Sequence, residues 1–564
     1  MIRIIFLVSN FVFLHFSCAF AGIIYVNILA SGSTDGSSWS NAFTNLQDAL
    51  LVSTAGDDIW VAQGTYLPTN TMNREISFEI KDGVSLYGGF SGGEIALSQR
   101  EWLLHETILS GDIGESDFYD DNSFNVIFAQ NFNFIRLDGF TITKGKAFFQ
   151  NVFEPANSPK KNGAGCYFIG SGNGNNANPA LYNCKFKLNF AAFNGGAIFI
   201  EAINGGSSIP IFSNCSFENN ASNGGGAIYF NGGGQSGSKT QLTNCTFFMN
   251  GSNFYGGAVN IQNIHGTSDW VIKNCEFNRS DGILGGGIYY NDSNPDNKLI
   301  IDSCLFFKNR GISEGGALWC FWFDNKLSQI ITNTVFKENH SGYYDSVNPE
   351  ESFGTGGAIL LQYFIFDSLV TVDFNNCIFE KNSSVTGGAI TFVGCNTNFI
   401  NTVFDSNGAF EDGGAMHMTD DGLGIRSRFI NCALANNYAY LSGGAFRSVK
   451  NSNAGIKPIV EFSNSILYGN SALEGDIGYV SNTDVNYFNS WVDKEYCDSL
   501  ATGFPFPFNN YTINCDQNVI FNQLPLFADT AAHDFTLLPC SPAIDAGDSA
   551  IVDSLGITTD IAGN

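Results

Sequence analysis

The chain has 564 residues, 44% of them hydrophobic and only 14% charged, against roughly 25% charged in ordinary soluble domains. Its 26 Lys and Arg are outnumbered by 53 Asp and Glu, for a formal net charge of -27. Sparse, mostly acidic charge excludes nucleic acid as a partner. No stretch beyond the first 21 residues approaches the roughly twenty apolar residues of a membrane-spanning helix.

Residues 1–21 read as a secretory signal. Arg3 supplies the positive start, 4–16 is mostly apolar, and Ala19-Phe20-Ala21 offers small residues where a signal peptidase cuts. Cleavage is placed after Ala21. His15-Phe16-Ser17 makes a poor lipobox, which argues against lipidation at Cys18.

Residues 22–145 form an N-terminal cap and the first coils. Ile23-Ile24-Tyr25-Val26 is a strand. Residues 44–51 follow a helical period with Thr44 as N-cap, a short amphipathic helix suited to covering an open sheet end. Strands with glycine-containing bends are expected over 58–66, 76–80, 84–90 and 137–142. After Gly111, Asp112, Glu115, Asp117, Asp120 and Asp121 cluster at a spacing that matches no ordered metal loop. The reading is a solvated acidic loop, with Ca²⁺ binding as the alternative and no other cofactor expected.

Residues 146–480 carry a repeat of roughly thirty residues. Its phrase is Asn-Cys-x-Phe-x-x-Asn followed by Gly-Gly-Ala-Ile. The cysteine slot reads Cys184, Cys215, Cys245, Cys275, Cys304, Thr334, Cys377, Thr402, Cys432 and Ser465. Asn183 and Lys185 alternate with Tyr182, Cys184 and Phe186, a period of two that turns Cys and Phe inward on a strand. Gly-Gly makes a bend before a second strand. Units with two or three short strands and no crossing helix must coil, so the prediction is all-β: a right-handed parallel β-helix rising roughly 4.8 Å per coil. Identical residues then stack in columns. Phe fills the interior and Asn bonds along the axis. The Asn before each Cys faces out or marks a bend. The column cysteines read as buried thiols, because in-register neighbours point the same way and Thr or Ser substitutes in three copies.

In the Gly-Gly-Ala-Ile strand, one outward column reads Tyr167, Phe199, Tyr229, Asn260, Tyr289, Trp319, Leu360, Thr391, His417, Arg447. Tyr167, Phe199, Tyr229, Tyr289 and Trp319 are the candidate ligand-binding residues, as an exposed stripe for stacking on sugar rings. The alternative is that loops cover them as a second core. Insertions at 148–162 and 340–355 break the spacing, and the second carries Tyr343, Tyr344, Asp345, Glu350 and Glu351. No carboxylate pair recurs on successive coils, so no catalytic residue is assigned. Residues 481–564 are C-terminal coils and a cap. Cys497, Cys515 and Cys540 lie outside the repeats, and a Cys497–Cys515 bridge is one pairing they allow.

Trp39-Ser40-Asn41-Ala42-Phe43, Leu46-Gln47-Asp48-Ala49-Leu50, Gly64-Thr65-Tyr66, Leu86-Tyr87-Gly88-Gly89-Phe90 and Leu137-Asp138-Gly139-Phe140-Thr141-Ile142 resemble secreted bacterial right-handed parallel β-helix proteins. The paired Phe-x-x-Asn and Gly-Gly-Ala-Ile resembles the repeats of the chlamydial polymorphic outer membrane proteins. The stretch 541–564 resembles the end of large bacterial surface β-helices, which usually continue into a further strand and an anchoring module; the route of anchoring is left open. The expectation is an exported, non-catalytic surface or secreted protein, adhesin-like or glycan-binding. A polysaccharide lyase or glycoside hydrolase on the same fold is the alternative. The expected partner is an extracellular glycan or cell-surface component. The expected location is extracellular or at the cell surface, associated with the outer membrane. The expected state is a monomer unless stacked end to end.

Overall fold

The computed structural model describes residues 22–151, 153–232, 238–263, 268–292, 294, 297–322, 329–343, 353–363, 370–450, 455–503, 510–529, 534–544 and 546–556. The signal segment lies outside them, as do residues 344–352 of the second insertion. The chain is a right-handed parallel β-helix, and one coil shows its plan. Ser268–Lys273 lies in sheet I, Glu276–Asn278 in sheet II, Asp281–Leu284 in sheet III and Ile288–Asp292 in sheet IV. Among the described residues, successive coils extend these sheets to 16, 15, 10 and 14 strands respectively. Neighbouring coils pair in parallel, as in Phe217↔Phe247 and Phe247↔Phe277. An antiparallel pair, Phe527–Asp529 with Asp534–Leu537, follows the last coil. Sheet III exceeds the two or three strands per coil expected from sequence. It is built from the short run between the repeat's second Asn and its Gly-Gly.

The corner from sheet I to sheet II is the Asn before each Cys. Asn183, Asn214, Asn244 and Asn274 have φ of 52, 55, 53 and 53°. Asn tolerates this left-handed region because its short amide bonds locally. The same side chains also link coils: Asn274 Nδ2 donates to Asn244 Oδ1 at 3.1 Å, and Asn244 Nδ2 to Asn214 Oδ1 at 3.1 Å. The column therefore both marks a bend and bonds along the outside.

Beyond the corner, Cys and Phe point inward as the alternation requires. Phe186, Phe217, Phe247, Phe277 and Phe306 stack with centroids 5.0, 4.7, 4.6 and 4.7 Å apart. Their offset faces match the one-coil rise, so each ring contacts the next without backbone adjustment. The slot cysteines are buried thiols. Burial pushes Cys377 and Cys432 up to about 12, which keeps them protonated.

The corner from sheet II to sheet III is a second, buried Asn column. Asn309 donates from both its backbone N and Nδ2 to Asn339 Oδ1, each at 3.0 Å. Asn339 does the same to Asn382 Oδ1, also at 3.0 Å for each bond. Each amide thus closes two bonds upward, and Nδ2 donates a further bond to a Phe carbonyl of the coil before. The column breaks once, at Ser280, whose buried Oγ has no hydrogen-bond partner. Ser280→Asn restores the missing acceptor above Asn250 and a donor toward Asn309. It is expected to raise stability by about 1–2 kcal/mol, read as a higher urea midpoint with an unchanged slope.

Helix α1, Leu46–Val52, covers the first coil by burying Leu46, Ala49 and Leu50 against the core. Its N-cap is Asn45 rather than Thr44: Asn45 Oδ1 accepts from Gln47 N at 2.9 Å. Asn and Thr both cap well, and Asn45 is the residue that holds the extended conformation a cap requires. At the other end Cys497 and Cys515 form a disulfide, and Cys540 is an exposed thiol. Helix α2, Ser549–Ser554, follows Asp548, whose N donates to Asn464 Oδ1 at 2.8 Å.

Candidate ligand-binding cleft

Register along sheet IV defines one outward column. It runs Glu79, Phe128, Tyr167, Phe199, Tyr229, Asn260, Tyr289 and Trp319. Leu360, Thr391, His417, Arg447 and Tyr479 continue it. The five aromatics singled out from sequence do stand outside the coil interior. Tyr167–Phe199 and Phe199–Tyr229 stack at 5.1 and 5.2 Å, and Tyr289–Trp319 at 4.6 Å.

They are not the exposed stripe that alternation suggested. Tyr167, Phe199, Tyr289 and Trp319 are 3, 1, 6 and 5% exposed, and Tyr229 is half-buried. Sheet III supplies part of the cover. The Tyr255 ring lies 4.8 Å from Tyr289, Leu284 packs on the Tyr289–Trp319–Leu360 cluster, and Glu314 Oε2 accepts from Trp319 Nε1 at 2.8 Å. The 148–162 insertion supplies the rest at the N-terminal end, where Tyr167 Oη donates to Asn157 O at 2.6 Å. Burial pushes the hydroxyls of Tyr167, Tyr229 and Tyr289 well up. Parity places a side chain outside the coil, but a neighbouring sheet and a loop decide whether water reaches it.

The stack opens at its N-terminal end. Phe128 is half-buried and lies face to face with Tyr167, centroids 5.6 Å apart and planes 2° from parallel. Phe128 also lines a cavity of about 270 Å³ with Glu75, Ser77, Glu79, Phe124 and Lys160, near the lower end of ligand-pocket volumes. The insertion forms one wall, held by an ion pair of Lys160 Nζ with Glu75 Oε1 at 2.5 Å. Arg74 is turned away: its Nε donates to Asn122 O at 2.6 Å, its Nη2 to Lys146 O at 2.9 Å, and its guanidinium lies 4.2 Å from the Phe124 ring centroid. Glu79 is exposed and makes no hydrogen bond or ion pair among the described residues. A rigid ring face beside carboxylate acceptors is the chemistry of a sugar subsite: the apolar C–H face packs on the ring while hydroxyls donate to the acids.

Sequence reasoning missed Phe128 and Glu79. Their strands, Ile127–Gln130 and Phe78–Glu79, precede the first full repeat and lack its Gly-Gly-Ala-Ile. The available signal was alternation in Ile127-Phe128-Ala129, which gives Phe128 the parity of Tyr167.

Toward the C-terminus the column turns polar. Arg447 pairs with Asp412, which also accepts from Ser442 Oγ at 2.6 Å. Burial and the Arg447 charge hold the His417 imidazole down at about 3, so it is neutral at any physiological pH. Glu411 is pushed up by burial and by Asp412. Exposed aromatics on sheet III, including Phe254 and Tyr438 at 50 and 48%, are separated by Asp281, Arg310 and His340 and form no continuous stripe.

The acidic loop is not simply solvated. Lys144 Nζ bonds both Asp112 and Asp117, at 2.7 and 2.5 Å, and Lys146 Nζ bonds Asp120 at 2.5 Å. Asp121 is buried, with Oδ2 accepting from Glu115 N at 2.7 Å. These carboxylates are drawn onto lysines, and no group of His, Cys, Asp and Glu among the described residues is arranged to hold a metal. No helix among them is long and apolar enough to cross a membrane.

Fold and cleft together define a parallel β-helix with a small aromatic and acidic pocket on its outer face. No family model and no curated protein sequence matches the chain. Solved structures similar to it include the catalytic unit of a thermostable GH87 alpha-1,3-glucanase from Streptomyces thermodiastaticus strain HF3-3, at 11% identity and a TM-score of 0.40, covering 88% of this chain and 69% of that one. The pectate lyase Pel9A is similar at 14% identity and a TM-score of 0.27, covering 83% and 79%. A GH136 lacto-N-biosidase from Eubacterium ramulus is similar at 8% identity and a TM-score of 0.28, covering 89% and 68%. At these values the likeness carries no argument about this chain's chemistry.

Proposed function

We propose that the chain is an exported β-helix protein that binds an extracellular glycan through the cleft beneath Glu79 and Phe128. Export rests on the leader-like first 21 residues. An adhesin-like role at the cell surface fits that leader and the repeat resemblance. Binding rests on one observation: the Phe128 ring, fixed by its stack on Tyr167, lines a cavity that also holds Glu75 and Glu79. A ring already held in place loses little entropy on binding, which favours stacking by a sugar. In this reading Tyr167, Phe199 and Tyr229 hold Phe128 in position rather than meet the ligand.

The test is titration of the mature chain with a panel of oligosaccharides. Phe128→Ala is expected to weaken binding about tenfold or more, the equivalent of about 1.4 kcal/mol, with an unchanged circular dichroism spectrum. Equal affinity in Phe128→Ala would refute the assignment.

A second reading, hydrolysis or β-elimination of a polysaccharide, is favoured by the two carboxylates on one cleft, since such chemistry needs an acid and a base or nucleophile. Its signature would be new reducing ends or unsaturated products that disappear in Glu79→Gln.

A further inference from the structure

We infer that the glycan taken by this cleft is uncharged, not a polyuronate or a sulfated chain. This deepens the glycan-binding reading and rests on it. Three features of the pocket and chain carry it.

First, the acidic groups lining the cavity are Glu75 and Glu79; its lysine, Lys160, is paired with Glu75, and Glu79 makes no ion pair among the described residues. An anionic sugar seated on Phe128 would bring its carboxylate or sulfate against a like charge. Glu79 instead suits hydroxyl donors, because an ionised carboxylate is acceptor-only and can take two neighbouring hydroxyls at once.

Second, the cations near the pocket are engaged. Lys160 Nζ sits on Glu75 Oε1 at 2.5 Å and lies 5.2 Å from the Phe149 ring centroid. Arg74 spends two of its donors on backbone carbonyls, those of Asn122 and Lys146. Lys160 is already neutralised by Glu75, so an anionic ligand would meet an ion pair of no net charge beside the Glu79 carboxylate rather than a free cation.

Third, the whole chain carries a net charge of -27. Its field slows the approach of any polyanion at low salt, and added salt screens that repulsion over a Debye length of about 8 Å at physiological strength. Neutral chains do not feel it.

The experiment uses the mature chain and four probes: dextran and laminarin oligosaccharides as neutral ligands, oligogalacturonate and alginate oligomers as anionic ones. Binding is measured by calorimetry at low and high salt, for the wild type and for Phe128→Ala, Glu79→Gln and Glu79→Lys. The expected result is binding of a neutral probe that depends on Phe128, varies little with salt, and is about tenfold or more tighter than for either anionic probe at low salt. Glu79→Gln should narrow that preference. Glu79→Lys should move it toward the anionic probes by about tenfold. Glu79 is exposed, so neither change threatens the fold. Tighter Phe128-dependent binding of oligogalacturonate or alginate would overturn the inference and leave the cleft as a glycan site. If no probe binds in a Phe128-dependent way, the glycan reading itself fails, and this inference with it.

Discussion

Asn339→Ala is expected to cost about 4 kcal/mol or more in equilibrium unfolding. Asn339 is fully buried, and its amide serves the coils on both sides. Its Oδ1 accepts from Asn309 N and Asn309 Nδ2, both at 3.0 Å. Its Nδ2 donates to Phe306 O at 2.9 Å and to Asn382 Oδ1 at 3.0 Å. Alanine leaves a backbone N–H, an amide N–H and a carbonyl without those partners in a site that water does not reach. Each orphaned buried group costs about 1–3 kcal/mol. The loss therefore exceeds that of a typical surface polar residue, which lies within about 0.5 kcal/mol. Urea unfolding of Asn339→Ala, Asn382→Ala and the double variant measures it. Adjacent rungs share a bond, so the double variant should cost less than the sum of the singles. A loss under about 1 kcal/mol for Asn339→Ala would mean that the amide column contributes register without stability.

The coil was legible because its physics repeats. The Cys-x-Phe alternation, the Asn slots and the Gly-Gly pair each recur at one interval, and each maps to one corner or one inward column. Phe217, Phe247 and Phe277 do lie directly above one another, 4.7 and 4.6 Å apart. What the repeat could not show was anything set by contact between unlike elements. Sheet III was hidden because its strands, such as Ala221–Gly224 and Gly251–Tyr255, are short and rich in small or polar residues with no apolar alternation. Missing it meant missing the cover it gives Tyr289 and Trp319. The 148–162 insertion was visible as an irregularity, but that it seats Asn157 on the Tyr167 hydroxyl depends on a backbone path no local pattern encodes. The cleft lies where the repeat has not yet begun. There Glu79 and Phe128 join the aromatic column through register, without sharing the repeat's sequence.

The same contrast explains why the column changes character along its length. Interior positions of a stacked coil are tied to their neighbours by matching shapes. The outward column is free to vary once something covers it. From Tyr167 to Trp319 it is mostly aromatic under sheet III and the insertion. At His417 and Arg447 it is polar, with Arg447 paired to Asp412 from sheet III. At Glu79 and Phe128 it reaches a cavity, so the place where the cover ends is the place that can meet a ligand.

Gly316→Ala is expected to be at least as disruptive as loss of an amide rung, for a steric reason. The second glycine of each pair does not need a left-handed backbone; Gly315 takes that role, with φ of 59°. Gly316 is required because the next coil's turn rests on it. A Cβ there would lie 1.9 Å from Gly357 O and 2.6 Å from His340 O. Both atoms are backbone, held by the ladders of their own coils, so relief means prying neighbouring turns apart. The same contact recurs at Gly286 and Gly357, where a Cβ would meet the following coil's glycine carbonyl at 2.3 and 2.0 Å. That is why the pair persists through the repeats while the residues around it change. Overpacking that must move backbone costs more than about 3 kcal/mol, and because the contact joins two coils the damage should spread to both. Limited proteolysis of Gly316→Ala should cut near residues 311–316 and 354–358 where the wild type resists. Gly251 is the matched control: nothing lies within 4 Å of a Cβ there and its backbone is outside the left-handed region, so Gly251→Ala should stay within about 1 kcal/mol of wild type. If both variants unfold alike, the turns do not carry the stacking force assigned to them, and the coils are held chiefly by the Phe and Asn columns.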